Sequence, residues 1–184
     1  DMPQPAPRVR RRNGGAGGVS VASRPGRIPP QATDIEKAVL GAMLIEREAI
    51  PRVIEILPPD AFYAAQHQKV YDAILRLFER GNPVDLITVG EELRRSEDLE
   101  QVGGDYYLTE LTTHVASAAN VEYHARIITE KSLLRKLIET MTVHVGEAYD
   151  PSADAFELLD QVESDIFRIS DTQLRRAASS MNEL

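Results

Sequence analysis

The sequence predicts an all-α protein, a small globular helical bundle followed by a long antiparallel helical hairpin. Three observations lead to this fold class. Apolar residues recur three or four positions apart along most of the chain, which is the spacing of one helix face. No stretch shows the sustained two-residue alternation of a half-buried strand. Gly, Pro, Asp and Asn separate the helical patterns, as expected for short turns between helices.

The globular subdomain is predicted to comprise residues 31–116. A first helix begins at the capping box Thr33–Glu36, and a second one tolerates Pro51 in its first turn. A third helix starts at about His67 and ends at Gly81, which suits a left-handed cap. A second capping box, Thr88–Glu91, opens the fourth helix. After a turn at Gly103-Gly104, the pattern predicts a short helix with the apolar positions Tyr106, Tyr107, Leu108 and Leu111.

The hairpin is predicted to comprise residues 117–170. The segment from Asn120 to Tyr149 carries one apolar stripe over a helix about 45 Å long. Asp150-Pro151-Ser152 breaks the pattern, and a second stripe then follows through Ala155, Leu159, Val162, Ile166 and Ile169. Each helix of a lone hairpin has only one neighbour, so part of its apolar surface stays uncovered. A second copy of the same hairpin is predicted to cover that surface.

Composition and charge restrict the kinds of protein this chain could be. The 184 residues suffice for one domain, and the scarcity of aromatic residues, 5%, predicts an aliphatic core. The absence of Cys excludes disulfides and thiolate metal sites, and favours a cytoplasmic location. No apolar run approaches the ~20 residues needed to cross a bilayer, and no signal peptide is visible, so no membrane partner is expected.

Positive charge is concentrated at the N-terminus. Residues 1–30 hold six Arg and one acidic residue, and their Pro- and Gly-rich composition predicts a disordered basic tail. The other residues hold 15 basic and 28 acidic side chains and should bind phosphate backbones poorly. The tail is interpreted as a solubilising extension, or as a segment whose arginines contact nucleic acid or an acidic partner: Arg8, Arg10, Arg11 and Arg12.

No catalytic, cofactor or metal site is predicted. The four histidines form no HExxH or HxxxH pair, and His124 and His144 lie about 28 Å apart on nearly opposite faces of one helix. The sequence contains neither GxSxG nor GxxxxGK[ST]. The carboxylates are interpreted as solvated charge on outer helix faces.

Seven short motifs nevertheless occur in a characteristic order. They are Pro29-Pro30 before 34–44 (DIEKAVLGAML), 60–63 (DAFY) with His67, Gly81, 84–89 (VDLITV), 102–104 (VGG), 107–111 (YLTEL) and 117–121 (SAANV). In this order and spacing, residues 29–170 resemble the N-terminal domain of the bacterial replicative DNA helicase, the DnaB family.

The resemblance implies a non-catalytic domain in a larger assembly. In that family the domain is the collar of a hexameric ring, packed as a trimer of dimers, and it binds primase and in some systems a helicase loader. Single-stranded DNA passes through the ring. ATP and Mg belong to a RecA-like C-terminal ATPase domain that is missing here, so residues 171–184 would begin the linker to it. The implied location is the replisome at the bacterial nucleoid.

The resemblance also implies roles for particular residues. Phe62, Tyr63, Leu86 and Ile87 would be core residues, and Asn120 would cap the long helix. Partner and oligomer contacts would come from one group on the long helix: Leu134, Ile138, Met141, His144 and Val145.

Two of these residues keep alternative interpretations. Ile138 and His144 are the positions that map onto primase contact. Ile138 is equally interpretable as buried hairpin core. His144 stands where the family often has an aliphatic residue, and is interpreted as an exposed polar side chain in preference to a binding hot spot.

Two other functions remain open at the level of sequence. The chain could be an all-α DNA-binding regulator that uses the Arg-rich tail, in which case DNA affinity would fall steeply with salt. The acidic charge of residues 31–184 argues against this alternative. Helical periodicity alone also permits a helical adaptor with no role in replication.

Overall fold

The protein is described here by a computed structural model that covers residues 27–113, 115 and 118–181, with side chains as far as Thr172. The predicted tail therefore lies almost wholly outside the described residues, as does His114. All regular secondary structure in the described part is helical, which confirms the all-α class. Its eight helices are α1 (Thr33–Ile45), α2 (Ala49–Ile56), α3 (Ala65–Glu79), α4 (Leu86–Arg95), α5 (Leu99–Val102), α6 (Gly104–Thr113), α7 (Val121–Ala148) and α8 (Ala155–Met181).

Helices α1 to α6 and the first half of α7 enclose one aliphatic core. Its fully buried large side chains include Leu40, Met43, Ile50, Ile74 and Ile128. Two aromatic rings join them: Phe62 packs 4.9 Å from Tyr71, centroid to centroid, and the Tyr71 hydroxyl donates to the Leu57 carbonyl at 3.1 Å. The hydroxyl of the Tyr71 side chain is therefore satisfied within the core.

The capping box predicted at Thr33–Glu36 is wrong. The N-cap of α1 is Ala32, and it has no side-chain cap. Glu36 is buried and reaches away from its own helix to the start of α3, where it accepts hydrogen bonds from the amides of Tyr63 (2.7 Å) and Ala64 (3.3 Å). Glu36 therefore binds the amides of the N-cap residue of α3, Ala64, and of the residue before it, and joins α1 to the N-terminal end of α3.

The capping box predicted at Thr88–Glu91 is displaced by one turn. Helix α4 begins at Leu86, and the Asp85 carboxylate accepts from the amides of Ile87 and Thr88, both at 2.9 Å. Thr88 closes the box by accepting from the Asp85 amide at 2.9 Å. Asp is a stronger N-cap than an interior Thr, so the helix starts earlier than predicted.

The cap predicted at Asn120 is correct in position only. Asn120 is the N-cap residue of α7, yet its side chain makes no capping hydrogen bond.

Of the four residues predicted to lie in the core, two do so and two do not. Phe62 is buried and Leu86 packs against the core, but Tyr63 is exposed and Ile87 is 76% exposed. Ile87 lies in the first turn of α4 and points outward, while Val89 and Leu93 face the core.

Two glycine turns have the predicted left-handed backbone. Gly81 follows α3 with φ of 70°, and Gly103 ends α5 with φ of 108°. A Cβ at Gly103 would also approach Tyr107 Cβ to 3.0 Å, so a side chain would be strained and crowded there. The four-residue helix α5 that precedes it was not predicted.

A buried carboxylate joins α3 to α4. Glu92 accepts from Arg76 at 2.9 Å and from Arg80 at 2.8 Å. The hydrogen bond from Arg80 is the main reason that the pKa of Glu92 lies below its ordinary value.

The hairpin leaves the globular part along α7. Ala125, Ile128 and Ser132 are buried on that side of the helix, and the Arg135 guanidinium donates to the Pro30 carbonyl at 2.7 Å. In the turn, Asp154 caps α8 by accepting from the amides of Phe156 (2.9 Å) and Glu157 (3.0 Å). Helix α8 continues unbroken through Asp171, the predicted start of the linker. Among the described residues, no helix is long and apolar enough to span a membrane.

Candidate interaction surface

Four of the five predicted interface residues form one exposed row on α7. Leu134, Ile138, Met141 and Val145 are 38%, 53%, 39% and 55% exposed. They follow each other at i, i+4, i+7 and i+11, so they occupy a sector about 60° wide on the helix surface. This row is called the α7 stripe below. The alternative interpretation of Ile138 as buried hairpin core is wrong for the single chain.

The α7 stripe faces away from the rest of the described chain. Ala125, Ile128 and Ser132, which pack against the globular part, lie about 110° to 170° around the helix from the stripe. Lys136 and Thr140, which line the groove between the two hairpin helices with Ile169, lie on that side as well. The stripe is therefore an apolar surface that no described element covers.

The stripe is longer than the predicted residue set. Tyr123, 11 residues before Leu134, and Tyr149, four residues after Val145, are both exposed and continue the same row. The signal was present in the sequence, since the spacing of three or four extends in both directions. Between Tyr123 and Leu134 the row is interrupted by the charged residues Glu130 and Lys131.

The interpretation of His144 as an exposed polar residue is wrong. Its side chain is only 9% exposed and lies between the two hairpin helices. Nδ1 is 2.8 Å from Glu147 Oε2, and Nε2 is 2.9 Å from Asp165 Oδ2 on α8. His144 is a quarter-turn away from the stripe, so it meets α8 and joins the helices. Each ring nitrogen is therefore within hydrogen-bond distance of a carboxylate oxygen, one on α7 and one on α8.

A second histidine forms a buried chain of hydrogen bonds in the globular part. His67 Nδ1 is 2.6 Å from Glu36 Oε2, and His67 Nε2 is 2.6 Å from the Tyr107 hydroxyl. The order hydroxyl, imidazole, carboxylate is shared with nucleophilic triads. Burial, however, raises the pKa of Tyr107, which disfavours the phenolate that such a nucleophile requires. The network holds α1, α3 and α6 together.

No catalytic constellation emerges from the described residues. Within them, no group of three His, Asp or Glu side chains is arranged to hold a metal ion. The features that remain among them are surfaces, and the α7 stripe is an exposed apolar surface on the hairpin. The site to which sequence and structure both point is thus an interaction surface.

Known protein sequences resemble this chain over most of its length. The model of the DnaB-like helicase N-terminal domain family matches residues 28–130, more than half of the chain. The replicative DNA helicase DnaB of Rhodothermus marinus is 68% identical over 159 residues, and that of Geobacillus stearothermophilus is 45% identical over 158. Each alignment covers 86% of this chain but only 17% and 35% of the relative. The chain therefore spans about a sixth to a third of these relatives.

Solved structures show the same fold. The crystal structure of the N-terminal domain of DnaB helicase from Mycobacterium tuberculosis is 43% identical, with a TM-score of 0.73, and covers 77% of this chain and 99% of that one. A DnaB-like replicative helicase, studied for its interactions with primase, is 26% identical with a TM-score of 0.61, over 83% of this chain and 35% of that one. None of these comparisons supports the alternative of a DNA-binding regulator.

Proposed function

This chain belongs to the DnaB-like helicase N-terminal domain family, and from that premise we propose that it is a non-catalytic assembly and docking domain of a replicative DNA helicase. Its proposed role is to mediate subunit association and to bind partner proteins during DNA replication. The α7 stripe is the observation that carries this proposal, because it is an extended apolar row on the side of the hairpin that the chain itself leaves open.

Self-association is the first role of the stripe. Full burial of one large apolar side chain stabilises by about 1.5 to 3 kcal/mol. Leu134, Ile138, Met141 and Val145 are each about half exposed, so covering them against a second copy would yield several kcal/mol before the entropic cost of association. Two antiparallel hairpins would bury the stripe symmetrically, which gives a dimer that builds to a hexamer.

Primase binding is the second role. It is supported by the likeness to a replicative helicase that was studied with primase. Ile138, near the middle of the stripe, is proposed as a direct contact. His144 is proposed to act indirectly, because it holds α8 against α7 and so keeps the stripe in place. A helicase loader is proposed as a further partner of the same collar.

The parent protein is proposed to unwind DNA. It would bind ATP and Mg in a RecA-like C-terminal domain that lies beyond the part of the relatives spanned here. Single-stranded DNA would pass through the ring of six subunits. The proposed location is the bacterial cytoplasm, at the replisome.

A calorimetric titration tests the proposal. The chain is titrated with the C-terminal helicase-binding domain of the cognate primase, and both components are sized by sedimentation. Saturable binding with fewer than one primase domain per chain is expected. If two or more chains together form one binding site, each primase domain occupies a site built by several chains. A chain that stays monomeric and takes up no primase domain at high concentration would contradict both roles. The variant Ile87→Asp, which alters a more exposed isoleucine on α4 (76% against 53% for Ile138), serves as the control for a substitution in the stripe.

A further inference from the structure

Helix α8 presents a second uncovered face, which is distinct from the α7 stripe. Phe156, Asp160, Glu163 and Phe167 follow one another at i, i+4, i+7 and i+11, so they share one face of the helix. All four are exposed, and the two rings are among the most exposed in the hairpin, at 82% and 72%. They lie about half a turn from residues that line the grooves between α7 and α8: Leu158, Asp165 and Ile169. We call these four residues the outer α8 face.

The surroundings of this face are strongly acidic. Residues 137–167 contain eight Asp or Glu and no Lys or Arg, so this part of the hairpin has a net charge of −8 with His144 neutral and −7 with it protonated. Among the described residues, no ion pair joins Asp160 or Glu163 to a cation. Two outer α8 faces brought together would repel each other, which argues against a second copy as the occupant. The chemistry fits a cationic segment that can also stack on aromatic rings.

The chain itself contains such a segment. Residues 8–12, with the sequence RVRRR, carry four Arg within five positions and precede the described residues. Guanidinium groups form bidentate pairs with carboxylates and stack on aromatic faces, so they match both kinds of side chain on the outer α8 face. The lengths also agree, since five extended residues span about 13 Å and Phe156 to Phe167 spans about 16 Å along the helix.

The segment is tethered within reach of the face. The Pro30 carbonyl is held by Arg135 on α7, about 14 Å along the axis from His144, which meets Asp165 on α8. Fourteen residues lie between Arg12 and Arg27, and five of them are Gly, the composition used for flexible linkers. Such a linker has a root-mean-square length of about 21 Å and a maximum near 50 Å. A linker whose typical length is close to the required span gives a high effective concentration of the bound segment.

We propose that residues 8–12 dock on the outer α8 face of the same chain, with guanidinium groups paired to Asp160 and Glu163 and stacked on Phe156 and Phe167. The docked segment neutralises the acidic half of the hairpin and shields the aromatic rings from other proteins. Since the α7 stripe is a different surface, this inference does not depend on the proposed function, and either can fail without the other.

Paramagnetic relaxation tests the proposal on the full 184-residue chain. The sequence has no Cys, so Asn13→Cys allows a single nitroxide label next to the Arg cluster. We expect selective broadening of the amide signals of residues 156–167. The broadening should vanish at about 1 M salt, where the screening length is about 3 Å. It should also vanish in the labelled variant that carries Gln at the four clustered arginines.

Matched charge variants localise the contact. Asp160→Asn with Glu163→Gln should abolish the broadening on α8. Glu46→Gln with Glu48→Gln, which removes two exposed carboxylates from the globular part, should leave it unchanged. Broadening that is absent from α8, or equal over the whole domain, would overturn the proposal. So would broadening that appears only when labelled chains are mixed with isotope-labelled chains, because the segment would then come from a second copy.

Discussion

His144 on α7 and Asp165 on α8 are joined by a hydrogen bond of 2.9 Å between Nε2 and Oδ2, and this bond crosses the interface between the two long helices. Glu147 binds the other ring nitrogen at 2.8 Å, so the ring is held from both sides. Arg168 pairs with the second oxygen of Asp165 and completes a short charged network. This polar network therefore fixes the position of α8 relative to α7.

Replacing His144 by Ala should loosen the hairpin. The two carboxylates lose their shared partner, and since both are partly exposed we expect a cost of only about 1 kcal/mol. Hydrogen exchange measured by mass spectrometry should become faster in the last turns of α7 and the first turns of α8, while α1 and α3 keep their protection. His124→Ala, which alters the other histidine of α7, is the control. Unchanged exchange at the hairpin would show that the hydrogen bonds of His144 do not stabilise the packing of α8 on α7.

The buried Glu36 should make the protein sensitive to acid. Burial by itself raises the pKa of Glu36, but the hydrogen bonds from His67, Tyr63 and Ala64 outweigh it and lower the pKa below 4.5. A carboxylate with a lowered folded-state pKa contributes stability above its unfolded pKa, and this stability is lost as pH falls through the folded value. The free energy of unfolding should therefore decrease below about pH 4.5.

The variant Glu36→Gln isolates this contribution. At neutral pH it should lower the free energy of unfolding by about 2 to 3 kcal/mol, because an amide cannot accept all the hydrogen bonds that the carboxylate accepts. Its stability should also depend less on pH in the acid range. Urea unfolding at a series of pH values measures both effects, with the exposed Glu100→Gln as control. Parallel pH curves for Glu36→Gln and the original chain would refute the linkage.

Two helical glycines should respond to alanine with opposite signs. A Cβ at Gly41 on α1 would overlap the Leu111 carbonyl of α6 and crowd Val115, so the helices must separate. We expect Gly41→Ala to destabilise by about 1 to 3 kcal/mol, as overpacking does. Gly146 on α7 has open space around its Cβ position, so Gly146→Ala should stabilise by up to about 1 kcal/mol. Thermal unfolding of the two variants provides the comparison, and a shift of the same sign in both would be inconsistent with the packing.

The sequence predicted the long elements well, for a physical reason. An apolar stripe that continues over eight turns fits only a helix. The helix expected from Asn120 to Tyr149 therefore agrees with α7, Val121–Ala148. Helix α5 was missed because four residues give no period to recognise. Glu36 and His144 were misjudged because their partners lie 27 to 31 and 21 positions away in the sequence. Local spacing cannot reveal which neighbour a polar side chain will meet after folding.

The last prediction concerns Ile138, near the centre of the α7 stripe. Ile138→Asp places a charge where the proposed assembly would bury an apolar side chain, at a cost of several kcal/mol to association. In the single chain Ile138 is 53% exposed, so the fold and its thermal stability should hardly change. Sedimentation equilibrium should then show weaker self-association, and calorimetry weaker binding of the primase domain. Ile87→Asp introduces the same change on an exposed position of α4 and should alter neither. If Ile138→Asp behaves like Ile87→Asp in both measurements, Ile138 lies in neither interface and the stripe must be assigned to another partner.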